Sequence, residues 1–85
     1  MAESALGERM IVDGIIEHVP DGLTKWLAWR VARAAVKAIF CETDVVKLLH
    51  FGVYWMWSRA LLSYDHIEHE RVMKAIDRLT RAVRH

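Results

Sequence analysis

The feature that most constrains this chain is the run Val45 to Leu62, VVKLLHFGVYWMWSRALL. It is the most apolar stretch and holds Phe51, Tyr54, Trp55 and Trp57, half of the aromatic residues. It does not alternate with period two, and no turn dipeptide divides it, so it predicts a helix and not a pair of strands. A helix that is apolar on more than one face must be covered on nearly every side. This run is therefore the expected centre of the fold. Its length approaches the ~20 residues of a membrane span, but it contains Lys47, His50 and Arg59, which argue against insertion.

Size sharpens the problem. A chain of 85 residues buries only about 60–65% of its unfolded surface. Here 54% of the residues are hydrophobic and 27% charged, more apolar material than so small a globule hides easily. Large uncovered apolar patches mark contacts, so the composition predicts self-association or a partner surface. The plainer alternative is a well-filled bundle with scattered surface tryptophans.

The remaining segments predict helices too. Residues 3–18 carry Leu6, Met10, Ile11, Ile15, Ile16 and Val19 in a ragged stripe that Gly7 and Gly14 weaken by about 1 kcal/mol each. Pro20 disfavours helical angles in the residue before it, so this helix should stop by about His18, with Asp21 or Thr24 capping the next. Residues 23–40 place Leu27, Val31, Ala34, Ala35 and Ala38 on one face, small enough for another helix to approach closely. Arg30, Arg33 and Lys37 form a basic seam beside it, and Trp26, Trp29, Val36 and Phe40 form a second apolar strip. Two strips imply two contacts. Thr43 is the expected N-cap of the apolar helix, with Asp44 at its positive end.

That helix has its best stripe at Val46, Leu49, Val53, Met56 and Ala60. The last segment has another at Val72, Met73, Ile76, Leu79 and Val83, pointing roughly 140° away at 100° per residue. With Asp65 and Glu68 spaced as in a capping box, this predicts a break near 63–65, not one rod from 43 to 84. The C-terminal Arg78, Arg81, Arg84 and His85 suit a helix C-terminus.

Net charge is +1, with no overall pull toward nucleic acid. The distribution is uneven: residues 1–21 carry Glu3, Glu8, Asp13, Glu17 and Asp21 against Arg9, while residues 22–40 are purely basic. The acidic first helix is expected to face the basic second, within a chain or between chains. Arg outnumbers Lys two to one, and Asn and Gln are absent, which removes the usual side chains for reading adenine. The single Cys41 excludes an intrachain disulfide, and the acidic N-terminus is no signal peptide. Both fit a reducing, cytoplasmic setting.

The richest polar cluster is Asp65, His66, Glu68, His69 and Glu70. Asp65 and His69, four residues apart, share a helix side, as zinc or iron ligands would. Yet neither Glu-x-x-His nor His-Glu-x-x-His occurs. Acids in a first helical turn, where the dipole favours them, with solvated or capping histidines, are the commoner origin of such a pattern. Asp65, His66, Glu68 and His69 are therefore only weak metal candidates, and no cofactor is implied. His50 has the titration range of an acid–base residue, but a satisfied core or interface histidine is the commoner case. Cys41 lacks an activating neighbour and reads as a packed thiol. No phosphate loop, dinucleotide loop or nucleophile elbow is present, and no catalytic residue is assigned.

The chain thus predicts one all-α domain over residues 1–85, a small bundle of three or four helices completed by homodimerisation. Its expected role is a protein–protein interaction module, adaptor- or inhibitor-like. Partners would meet Trp26, Trp29, Arg30, Arg33, Lys37, Phe40, Trp55 and Trp57, since Trp and Arg dominate interface hot spots. The same pairing also suits a membrane surface. Two alternatives compete: nucleic-acid binding through the basic stripe or the C-terminal arginines, and a metal-dependent or acid–base enzyme built on residues 65–70.

Overall fold

A computed structural model describes the backbone of residues 2–84 and the side chains of residues 7–83. The side chains of Glu3, Leu6, Arg84 and His85, invoked above, lie outside the described residues. Four helices follow one another: α1 (Ala2–Ile16), α2 (Leu23–Phe40), α3 (Asp44–Tyr64) and α4 (His66–Arg84), with no strand among the described residues.

The breaks have local causes. α1 ends two residues before the expected His18, closed by a Val19 N–H to Ile16 O bond of 2.9 Å, and Pro20 follows. The N-cap of α2 is Gly22, neither Asp21 nor Thr24. Gly22 takes φ 127°, which side chains with a Cβ rarely adopt, and its carbonyl accepts from Trp26 N–H at 3.1 Å. Asp21 instead pairs with Lys25 at 3.2 Å. Thr43 sits at the N-cap of α3 as expected, but its carbonyl, not its hydroxyl, makes the bond, to Lys47 N–H at 2.8 Å.

Between α3 and α4 the chain breaks at one residue. Asp65 is extended at φ −150°, ψ 92°. Its carboxylate accepts the Glu68 N–H at 3.2 Å, which is half of a capping box. The Glu68 side chain does not return to the cap; it turns inward toward His18 and Arg71. The break expected near 63–65 is therefore present, and it lets the two apolar stripes diverge.

The organising helix is not the one that the apolar run suggests. α2 packs against the other three helices and buries eight residues, from Leu27 to Ala38. Its small face of Leu27, Val31, Ala34, Ala35 and Ala38 is buried throughout, which lets α1 and α3 close on it from separate sides; α1 and α3 do not touch. α4 closes the bundle, with Val72 and Ile76 buried and Val83 left exposed. The apolar helix α3 contributes only Ser58 and Leu61 to the buried set. Its expected inner stripe of Val46, Leu49, Val53, Met56 and Ala60 stays exposed, with Leu49 and Met56 on the open side and Val53 lining a shallow recess with Arg30, Arg33 and Ala34 of α2. The reason is geometric: among the described residues α3 touches only α2 and α4, and its most exposed residues lie on the side that no helix covers. The radius of gyration, 12.3 Å, matches the ~12 Å of a compact domain of this length, so the uncovered face does not come from an open arrangement.

Candidate protein-interaction surface

The predicted Trp/Arg residues separate into two groups. Trp26, Trp29, Arg30 and Trp57 converge at the α2–α3 joint. Trp26 meets Trp57 edge-on at 5.3 Å between ring centroids, 89° apart. The Arg30 guanidinium carbon lies 5.2 Å from the Trp26 and Trp29 rings and 5.6 Å from Trp57. Arg30 Nε is buried with no hydrogen-bond partner, so the three π-faces are its compensation. This cluster is built into the fold: Arg30→Glu would disturb the joint as well as any partner contact. Arg33 stacks on the outer side of Trp29 at 5.2 Å. Arg33 and Lys37 then face a groove of about 550 Å³ between α1 and α2, across which stand Glu8 and Asp13. Acid and base thus share a groove as the charge pattern implied, although no ion pair joins α1 to α2 among the described residues. Phe40 is half-exposed at the end of α2.

Trp55 belongs to the other side. It stands on the outward face of α3 with the Arg59 guanidinium 4.9 Å over its ring. Around it the face is apolar and open: Val45 is 70% exposed, Leu48 71%, Leu49 66%, Trp55 61% and Met56 56%. At 100° per residue these positions flank Gly52, the midpoint of the outward face. A Cβ at Gly52 would meet nothing within 4 Å. The inward face of the same helix is the more polar one, carrying Lys47, His50, Tyr54 and Ser58 beside Trp57 and Leu61. An ordinary bundle helix does the reverse.

Val45, Leu48 and Arg59 were picked out by no sequence pattern, and Leu49 and Met56 only as part of an expected inner stripe. One signal was available: Lys47, His50, Tyr54, Ser58 and Leu61 share a side at helical spacing, and polar groups there leave the apolar majority to the opposite side.

The polar inner face meets α4 through a small network. Ser58 Oγ lies 3.0 Å from His69 Nε2, and the Tyr54 hydroxyl donates to Met73 Sδ at 3.0 Å. Burial pushes the His69 imidazole below its ordinary range, with the Glu70 carboxylate opposing, and raises the Tyr54 phenol. The metal candidates point apart. Asp65 caps α4, Glu68 turns to His18 Nε2 at 3.9 Å and Arg71 at 3.4 Å, His69 joins Ser58, and His66 is exposed. No group of three His, Cys, Asp or Glu side chains converges as metal ligands would among the described residues. His50 lines a shallow recess with Arg30, Arg33 and Lys37. The Cys41 thiol donates to Thr43 O at 3.4 Å. No helix among the described residues is long and apolar enough to cross a membrane.

No protein-family model matches the chain, and no curated protein or solved structure is significantly similar to it.

Proposed function

We propose that this chain is a small helical protein–protein interaction module, acting as an adaptor or inhibitor by presenting the outward face of α3 to another polypeptide. The observation that carries this reading is the placement of the most apolar helix: most of its large apolar side chains, among them Val45, Leu48, Leu49, Trp55 and Met56, face solvent, while Lys47, His50, Tyr54 and Ser58 share the inward side with Trp57 and Leu61. Compact monomers seldom leave such a face uncovered. Trp55 with Arg59 stacked on it supplies the aromatic and cationic anchors that interfaces favour.

The competing roles draw less support. A nucleic-acid surface draws on Arg30, Arg33, Lys37, Arg78 and Arg81; of these, Arg30 is held among three indoles and Arg81 pairs with Asp77 at 3.1 Å, which leaves a smaller basic surface on a chain of net charge +1. An enzyme on residues 65–70 needs those side chains to converge on one point, and they diverge.

The test is site-specific photo-crosslinking in the native host. A photoreactive residue at position 48 or 55 should yield polypeptide adducts that Met56→Glu abolishes. The same group at 74 or 78, on exposed α4 positions, should yield few. Equal labelling at all four positions, or α3 adducts to lipid or nucleic acid alone, would overturn the reading.

A further inference from the structure

Resting on that reading, we infer that the occupant of the α3 face is a second copy of this chain, packed antiparallel about a two-fold axis at Gly52. The first support is area. Val45, Leu48, Leu49, Trp55 and Met56 together expose on the order of 600 Å², the top of the range for the largest patch on a monomer. With the rim included, the face approaches the ~800 Å² that each partner buries in a standard interface.

The second support is self-complementarity, which a two-fold interface demands. At 100° per residue, Val45, Leu49 and Met56 fall on one side of the line through Gly52, and Leu48, Trp55 and Arg59 on the other. Turning a copy end over end about Gly52 sets Leu48 level with the partner's Met56, Leu49 level with the partner's Trp55, and Val45 level with the partner's Arg59. At each level the two side chains occupy opposite sides of the seam, so they interdigitate. The one level where both copies place the same residue is 52, where glycine admits close backbone approach.

The third support is charge. Exposed Asp44 and Arg59 stand at opposite ends of the face. Antiparallel pairing sets each Asp44 beside the partner's Arg59, twice per dimer. Parallel pairing would set like beside like, which is unfavourable.

Charge exchange tests this arrangement, with molar mass in solution as the readout. The wild type should have twice the 9.9 kDa of one chain. Asp44→Arg and Arg59→Glu should each weaken self-association about tenfold or more at low salt, with helical content unchanged by circular dichroism. A 1:1 mixture of the two variants should recover the dimer, as should one chain carrying both changes. A monomeric wild type at millimolar concentration would overturn the inference, and so would charge reversals that leave the mass unchanged or fail to rescue each other. If the wild type is monomeric while position 48 still crosslinks to a different protein, the second-copy inference falls and the interaction module stands. If it is monomeric and instead binds vesicles of mixed zwitterionic and anionic phospholipid through Trp55, both fall.

Discussion

Helices α3 and α4 leave the same one-residue break and pack on the same core, yet they use their apolar residues in opposite ways. α4 is the more polar helix, but Val72 and Ile76 lie inside and, buried Glu68 apart, its charges lie outside. α3 is the more apolar helix, but only Ser58 and Leu61 are buried. The contrast teaches that apolar content does not place a helix in the core; periodicity and the number of neighbours do. α4 touches α1, α2 and α3, while α3 touches only α2 and α4.

The sharpest way to break this comparison is to truncate one leucine on each face of α3. Leu61→Ala removes a fully buried side chain and should lower unfolding free energy by about 2–5 kcal/mol. Leu48→Ala, on the open face, should change the folding stability of the dilute chain by no more than about 0.5 kcal/mol. Urea titrations at micromolar concentration check both; equal losses would mean that the two faces do not differ.

The break between the helices comes next. Asp65→Ala removes the side-chain acceptor of Glu68 N–H and should cost about 1 kcal/mol, with Asp65→Asn recovering most of it. A neutral Asp65→Ala would assign the break to packing alone.

A smaller effect has the opposite sign. Gly52→Ala and Gly14→Ala both add a methyl group that meets nothing within the chain. Each should raise the stability of the dilute chain by about 0.5–1 kcal/mol. Only Gly52→Ala should also weaken self-association, because only Gly52 lies at the proposed crossing. If the two variants dimerise equally well, the crossing lies elsewhere.

The smallest expected effect concerns the α3–α4 joint. Burial depresses the His69 imidazole in the fold, so the unfolded chain holds that proton more tightly. The His69 contribution to stability is therefore full above about pH 6.5 and is lost as pH falls toward the depressed folded value. Between pH 7 and pH 5 the wild-type unfolding midpoint should fall further than that of His69→Asn. Parallel curves would show that burial does not act on this group.

Much of the fold was legible because it is written in local rules. The lone Pro20, the Asp65/Glu68 spacing and the diverging stripes of the last two segments mark the boundaries, and the small face from Leu27 to Ala38 marks a helix meant for close packing. The site was less legible. Trp26, Trp29, Arg30, Trp55 and Trp57 stood out as one class of interaction residue, but Arg30 with Trp26, Trp29 and Trp57 braces the joint, whereas Trp55 faces out. Residue type alone does not separate a cation–π brace from a surface anchor; that depends on which helices converge there.

By itself, the sequence determined the helical class, the positions of the breaks and the excess of apolar surface, since these follow from backbone restrictions, periodicity and composition within short windows. The tertiary structure decided which helix is central and where the excess is displayed. α3 carries apolar residues on several faces, so its strongest apolar stripe pointed to the wrong side, and only the tertiary contacts make the side of Lys47, His50, Tyr54, Ser58 and Leu61 the inner one. Its orientation is set by the joint with α2, where Arg30 lies among three indoles, and by the Tyr54 and Ser58 contacts to α4, all of them pairings between residues distant in the chain.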